Sequence, residues 1–256
     1  MPGTDHNTIY VAIVITILGF MIGLAKGGFG GLGSLLTPIL ALVLPVTLAV
    51  GVLLPMLMVG DAFAVYLYWK EWDLDLVKRM LPAGIVGALA GTFLLSRLPA
   101  DGLRIILGIF VLVLVAYKFV SDWIQAAQPW QRASGLVYET RPWHAPAAGF
   151  LAGVASGMFN NGGPAFSSYL LLQKLKARPF IATSAIYFAL LNLIKVPGFL
   201  YTGVLNLPLL FSLWWVFLFI PVGIWVARIM LTRVSPSTFE WIIIVLLIFS
   251  SLWLLR

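Results

Sequence analysis

The chain has 256 residues, 61% of them hydrophobic and only 10% charged, whereas a soluble domain is about half apolar and about a quarter charged. A soluble fold of this size has nowhere to hide that much apolar surface, so the composition and a mean hydropathy of +1.03 exclude a water-soluble globule. The net charge of +7 comes from basic residues in short loops between apolar runs, which marks topology and not a nucleic-acid surface. Without cysteine there is neither a disulfide framework nor thiolate chemistry.

Taken in order, the apolar runs define an all-α membrane protein, a polytopic helical bundle. Residues Met1 to Tyr10 carry no Lys or Arg, so the first run reads as a retained helix and not a cleaved signal. That run, Thr8 to Ala25, breaks at Lys26, Gly27, Gly28, Phe29, Gly30 and Gly31. A short run, Leu32 to Leu44, follows, then Val46 to Trp69, Leu76 to Leu95 and Leu103 to Val120. A polar stretch, 121–141, separates a first transmembrane repeat (1–120) from a second (142–256) and is expected to be a cytoplasmic linker. The second repeat gives Trp143 to Phe159, a break at Asn160, Asn161, Gly162, Gly163 and Pro164, then Ala165 to Leu172, Phe180 to Leu200, Leu207 to Ala227 and Phe239 to Leu255.

The two halves repeat one pattern. Gly19, Phe20, Gly23 and Ala25 recur as Gly149, Phe150, Gly153 and Ala155, and Gly27 and Phe29 as Gly157 and Phe159. An odd number of segments per unit makes the two copies insert in opposite directions. The charges agree. Lys70, Lys78 and Arg79 follow the third run of the first half, whereas the equivalent loop of the second is uncharged; Lys174, Lys176 and Arg178 follow its second segment, whereas the loop at Pro45 is uncharged. Basic loops are cytoplasmic, so the linker with Arg132 and Arg141 falls inside and both termini outside; Arg97 and Arg104 run against this scheme.

The two breaks are the chemically informative feature. Irregular backbone at membrane depth is tolerated only when it is buried in protein or lines a cavity, and each break precedes a helix start whose free N–H groups and dipole favour an anion. Gly27, Gly28, Gly30, Gly31 and Ser34 from the first break, and Ser156, Asn160, Asn161, Gly162 and Gly163 from the second, are candidate binding groups. The glycines before each break also form small-residue ridges suited to close helix packing. Three ionisable residues lie at depth, where each is a functional candidate by default: Lys26, Asp61 and Lys195. The lysines would offset a bound anion's charge; Asp61 would couple transport to protons, or else form a structural pair with Lys195. Gly28, Gly30 and Gly33 match a dinucleotide fingerprint in spacing alone, with no strand before them. His6 and His144 are too isolated to ligate a metal. No cofactor or metal is called for, and no acid–base pair or nucleophile is arranged for an enzyme.

With its glycine-rich segment from Gly23 through Lys26 and Gly31 to Pro38, repeated as Gly153 through Asn160 and Asn161 to Pro164, the chain resembles the TauE/SafE sulfite exporter family over nearly its whole length. The resemblance implies a transporter of sulfite, sulfonates or related small sulfur oxyanions, usually described as exporting them, with about eight crossings. No ATP motif is present in the sequence, so a secondary transporter in the cell (plasma or inner) membrane, driven by a proton, ion or substrate gradient, is expected. The expected partners are a small anionic substrate and the lipid bilayer, with a proton or ion as a candidate for coupling. One repeat rocking against the other would alternate access. A passive anion channel and a non-transport membrane scaffold are the rival readings.

Overall fold

The computed structural model describes residues 4–133, 141–173, 175–230 and 236–256, and every regular element among them is helical. The first half comprises α1 (Thr4–Gly27), a 3₁₀ segment (Gly30–Leu35), α2 (Leu36–Ala41), α3 (Val46–Leu67), α4 (Leu74–Arg97) and α5 (Ala100–Ala133). The second comprises α6 (His144–Phe159), α7 (Gly163–Leu172), α8 (Ala177–Tyr201), α9 (Leu207–Ser212), a second 3₁₀ segment (Trp214–Leu218), α10 (Phe219–Met230) and α11 (Pro236–Leu254). Lys174 lies outside the described residues, as do the side chains of His6, Arg132, Arg228 and Glu240.

Local chemistry sets the boundaries. The Asp73 carboxylate caps α4, accepting the N–H groups of Asp75 and Leu76, both at 3.0 Å. Asn160 ends α6 in the left-handed conformation, φ 53°, and Pro164 sits in the first turn of α7, where its missing N–H costs nothing. Two elements differ from the sequence expectation. The run from Leu207 to Ala227 is not one helix but α9, a 3₁₀ segment and α10. α5 continues to Ala133, through most of the stretch read as a linker.

Among the described residues five helices are long and apolar enough to cross a bilayer, α1, α3, α4, α5 and α8, with shorter apolar segments beside them. Their outward faces carry Val86, Leu89 and Phe93 on α4 and Ile109 and Val113 on α5, all exposed, while Asp61, Lys195, Asn161 and Asn192 are buried. Apolar outside with polar groups inside is the polarity of a protein solvated by hydrocarbon.

Two backbone-to-backbone contacts organise the bundle. On α6, Gly149 faces Met80, Gly153 faces Gly84 and Ala88, and Gly157 faces Ala88 and Thr92; a Cβ on any of the three would strike α4 backbone. On α1, Gly19 faces Val216, Gly23 faces Ile220 and Gly223, and Gly27 faces Ile224 and Ala227. Numbers rise together in both sets, so α4 runs parallel to α6 and α1 parallel to α10. α3 and α8 cross in opposite directions, Gly51 meeting Val204 and Asp61 meeting Asn192. So do α5 and α11, Arg104 donating to the Trp253 carbonyl and Phe119 lying beside Trp241.

The core divides accordingly. Leu18, Ile22, Leu40, Leu53, Met56 and Ile220 join α1, α2, α3 and α10 into one lobe. Met80, Ala152, Phe166, Tyr187 and Leu191 join α4, α6, α7 and α8 into another. A third cluster, with Leu107, Val111 and Leu247 of α5 and α11, touches both breaks through Leu35 and Phe159. Relative to the sequence halves, the lobes have exchanged α4 and α10, because the small residues of those helices admit the glycine ridges of α6 and α1.

Candidate functional site: a cavity between two helix breaks

α1 runs to Gly27, and Gly28 turns the chain at φ 144°, a conformation only glycine adopts without strain. The 3₁₀ segment then starts at Gly30. In the second half the turn after α6 is made by Asn160, and its geometry is held from behind. The Lys195 ammonium, fully buried, donates to the Ser156 carbonyl and hydroxyl, both at 3.0 Å, and to Asn160 Oδ1 at 2.7 Å. All three of its N–H bonds are thereby used.

The breaks meet. Asn161 Nδ2 donates to the Ser34 carbonyl at 3.2 Å, Thr37 Oγ1 to the Phe159 carbonyl at 2.5 Å, and Asn160 Nδ2 to the Val50 carbonyl at 2.8 Å. Against them lies a cavity of about 700 Å³. Of the residues expected from sequence, Lys26, Gly28, Gly31, Ser34, Ser156, Asn160, Asn161, Gly162 and Gly163 line it. Gly27 instead packs on Ala227, Gly30 opens the 3₁₀ segment, and Lys195 and Asp61 stand behind the wall.

Sequence reasoning missed one wall. Ile181, Ser184, Ala185, Phe188 and Asn192 of α8 also line the cavity. They recur at three- and four-residue steps, so they form one helix face; Ser184 and Asn192, polar residues within a largely apolar run, were the available signal.

The electrostatics centre on Lys26, the cavity's sole charged lining residue among those described. Its ammonium pairs with Asp61 Oδ1, and Asn192 Nδ2 donates to Asp61 Oδ2 at 2.7 Å. Asp61 is completely buried. Its ion-pair partner is therefore Lys26 and not Lys195, the alternative raised from sequence: α1 and α3 lie side by side, with Gly60 against Ile22 and the Lys26 stem, while Lys195 is turned towards the α6 break.

The cavity reaches along α7 and α8 to Leu171, Phe180 and Ile181. That end carries the basic loops. Arg178 pairs with Glu71 at 3.0 Å and the Asp73 amide donates to Thr183 Oγ1 at 2.9 Å, so the turn after α3 and the start of α8 come together. Lys70, Lys78, Arg79, Lys176 and Arg178 thus gather at one end of the molecule.

A helical bundle with exposed apolar outer faces, and between its two lobes a cavity into which Lys26 and several serine and asparagine residues are set, defines a multi-pass membrane protein with room for a small solute. The family model for the sulfite exporter TauE/SafE matches residues 15–254, so the chain belongs to the TauE/SafE family, one of membrane transporters of sulfur anions such as sulfite. No curated protein and no solved structure matches it.

Proposed function

We propose that the protein is a secondary transporter that exports sulfite or a small organosulfonate, binding the anion in the cavity where the two breaks meet. The observation that carries this reading is the convergence there of Lys26, the serine and asparagine side chains, and the first turns that follow each break. A helix start presents amides without intrahelical partners and a positive dipole end, and Lys26 is the cation placed to face a compact oxyanion in the cavity.

Oppositely inserted repeats are supported by the helix directions. α1 runs with α3, since Gly19 approaches Met56 and Gly60 approaches Ile22 and Lys26. α4 turns back after α3, and α6 runs with α4, so α6 opposes α1. The short α2 and α7 return within the bundle instead of adding a full crossing: ten residues of α7 rise about 15 Å. The end bearing Lys70, Lys78, Arg79, Lys176 and Arg178 is cytoplasmic by the positive-inside rule, which sets both termini outside and the cavity towards the cytoplasm.

Transport is favoured over a passive channel because Leu35 and Phe159, at the two breaks, are buried in one apolar cluster with Leu54 and Phe199. Alternating access then requires the lobes to move, and each lobe mixes both repeats. Flux of labelled sulfite and sulfonates into proteoliposomes tests the proposal. Flux that saturates and is lost in Lys26→Ala is expected; folded protein that moves no small oxyanion would refute it.

A further inference from the structure

Asp61 and Lys26 belong to one circuit. Asp61 is completely buried, and its two oxygens accept from Lys26 on α1 and from Asn192 on α8. Lys26 is at the same time the charged residue facing the cavity. While Asp61 is ionised, the positive charge that would draw an anion is cancelled inside the protein. An arriving anion would meet a neutral pair flanked by serine and asparagine dipoles.

Drawing Lys26 away from an ionised Asp61 strands a carboxylate in a dry interior, with only the Asn192 amide and the field of Lys195 to hold it. A buried carboxylate that has lost its ion-pair partner is strongly disfavoured. A proton on Asp61 removes the conflict. The neutral carboxyl still accepts from Asn192, and the Lys26 ammonium turns its full charge to the cavity.

We propose that each anion bound at Lys26 is accompanied by one proton taken up on Asp61, so that anion and proton cross the membrane together. This rests on the reading of the cavity as the anion site. The charges that face Asp61 are Lys26 from α1 and Lys195 from α8. Lys195 has its three donors committed to Ser156 and Asn160, so Lys26 is the cation that exchanges partners. Among the described residues α2, α5, α6 and α7 bring no further charge to Asp61; the Arg228 side chain on α10 lies outside them.

Such coupling makes the passage of a monovalent anion electroneutral. Membrane potential then exerts no pull on it, and direction follows the combined anion and proton gradients: outward when the cytoplasmic solute is concentrated, inward when it is scarce and the outside is acidic. Because binding and protonation are linked, affinity rises about tenfold per unit of acidification wherever free Asp61 is ionised.

The test uses the purified full-length protein in weakly buffered detergent solution with a pH indicator. Methanesulfonate is the first probe, because its own charge does not change with pH, and sulfite the second. The expected result is one proton taken up per methanesulfonate bound, with affinity falling about tenfold for each unit of rising pH. Asp61→Asn should bind methanesulfonate with no proton uptake and with an affinity flat in pH. Binding by the wild-type protein with no proton uptake would overturn the coupling and leave the anion site standing. Failure of both probes to bind would overturn the anion reading and the coupling with it. If Asp61→Asn does not fold, the proton count on the wild-type protein decides alone.

Discussion

Replacing Gly153 by alanine tests the packing on which the lobes depend. The added Cβ would lie against the Gly84 carbonyl oxygen and the Ala88 amide of α4. These are backbone atoms that no rotamer change can move aside. Carbon and carbonyl oxygen settle at about 3.3–3.6 Å, so α4 and α6 must part by roughly 1 Å along the contact. Overpacking of that kind costs about 1–3 kcal/mol, while glycine to alanine within a helix returns up to about 1 kcal/mol. Gly102→Ala on α5 is the matched control, because its Cβ would meet only Pro99 side-chain atoms, at 3.4 and 3.6 Å. It collects the propensity gain without the clash. Gly153→Ala should therefore be less stable than Gly102→Ala by about 1–3 kcal/mol in SDS-driven unfolding from mixed micelles. If the two variants are equally stable, or Gly153→Ala is the more stable, the backbone contact between α4 and α6 is not what joins that lobe.

Two further outcomes follow from the site. Lys195→Met keeps the side-chain bulk but leaves Ser156 Oγ and Asn160 Oδ1 without their buried donor, so the turn after α6 should loosen and sulfite affinity fall at least about tenfold, the equivalent of one lost hydrogen bond; unchanged affinity in equilibrium binding would contradict a positioning role. The chain has no cysteine, so Ser184→Cys gives a clean accessibility probe of the cavity wall. An impermeant maleimide should label it from the side bearing Lys70 and Arg178 and be slowed by sulfite, while Leu193→Cys, on the exposed apolar face of α8, stays unlabelled. Equal labelling of Ser184→Cys from both sides would favour a continuous pore.

What the sequence made legible was what composition and glycine placement control. The breaks at Lys26–Gly31 and Asn160–Pro164 stood out because glycine and asparagine are costly inside an apolar run, and α6 does end at Phe159 with α7 beginning at Gly163. The break at Leu213 did not stand out, because the residues around it are as apolar as those of an unbroken span. The polar residues after Val120 end the apolar run but not the helix, which continues to Ala133. Pairings between distant segments were the least accessible. The ridges Gly19–Gly27 and Gly149–Gly157 announced close packing but not that their partners are α10 and α4. Asp61 announced a buried charge; whether Lys26 or Lys195 answers it depends on the side-by-side course of α1 and α3, which no local pattern encodes.

A single negative solute is expected where the two breaks meet. A structure determined with selenite, a heavy-atom stand-in for sulfite, measures this directly. One selenium peak should appear inside the cavity, with its oxygens within hydrogen-bonding reach of Lys26 and between the segment from Gly31 to Ser34 and the segment from Asn161 to Gly163. A peak elsewhere in the protein, or a cavity left without selenium at saturating flux, would contradict it.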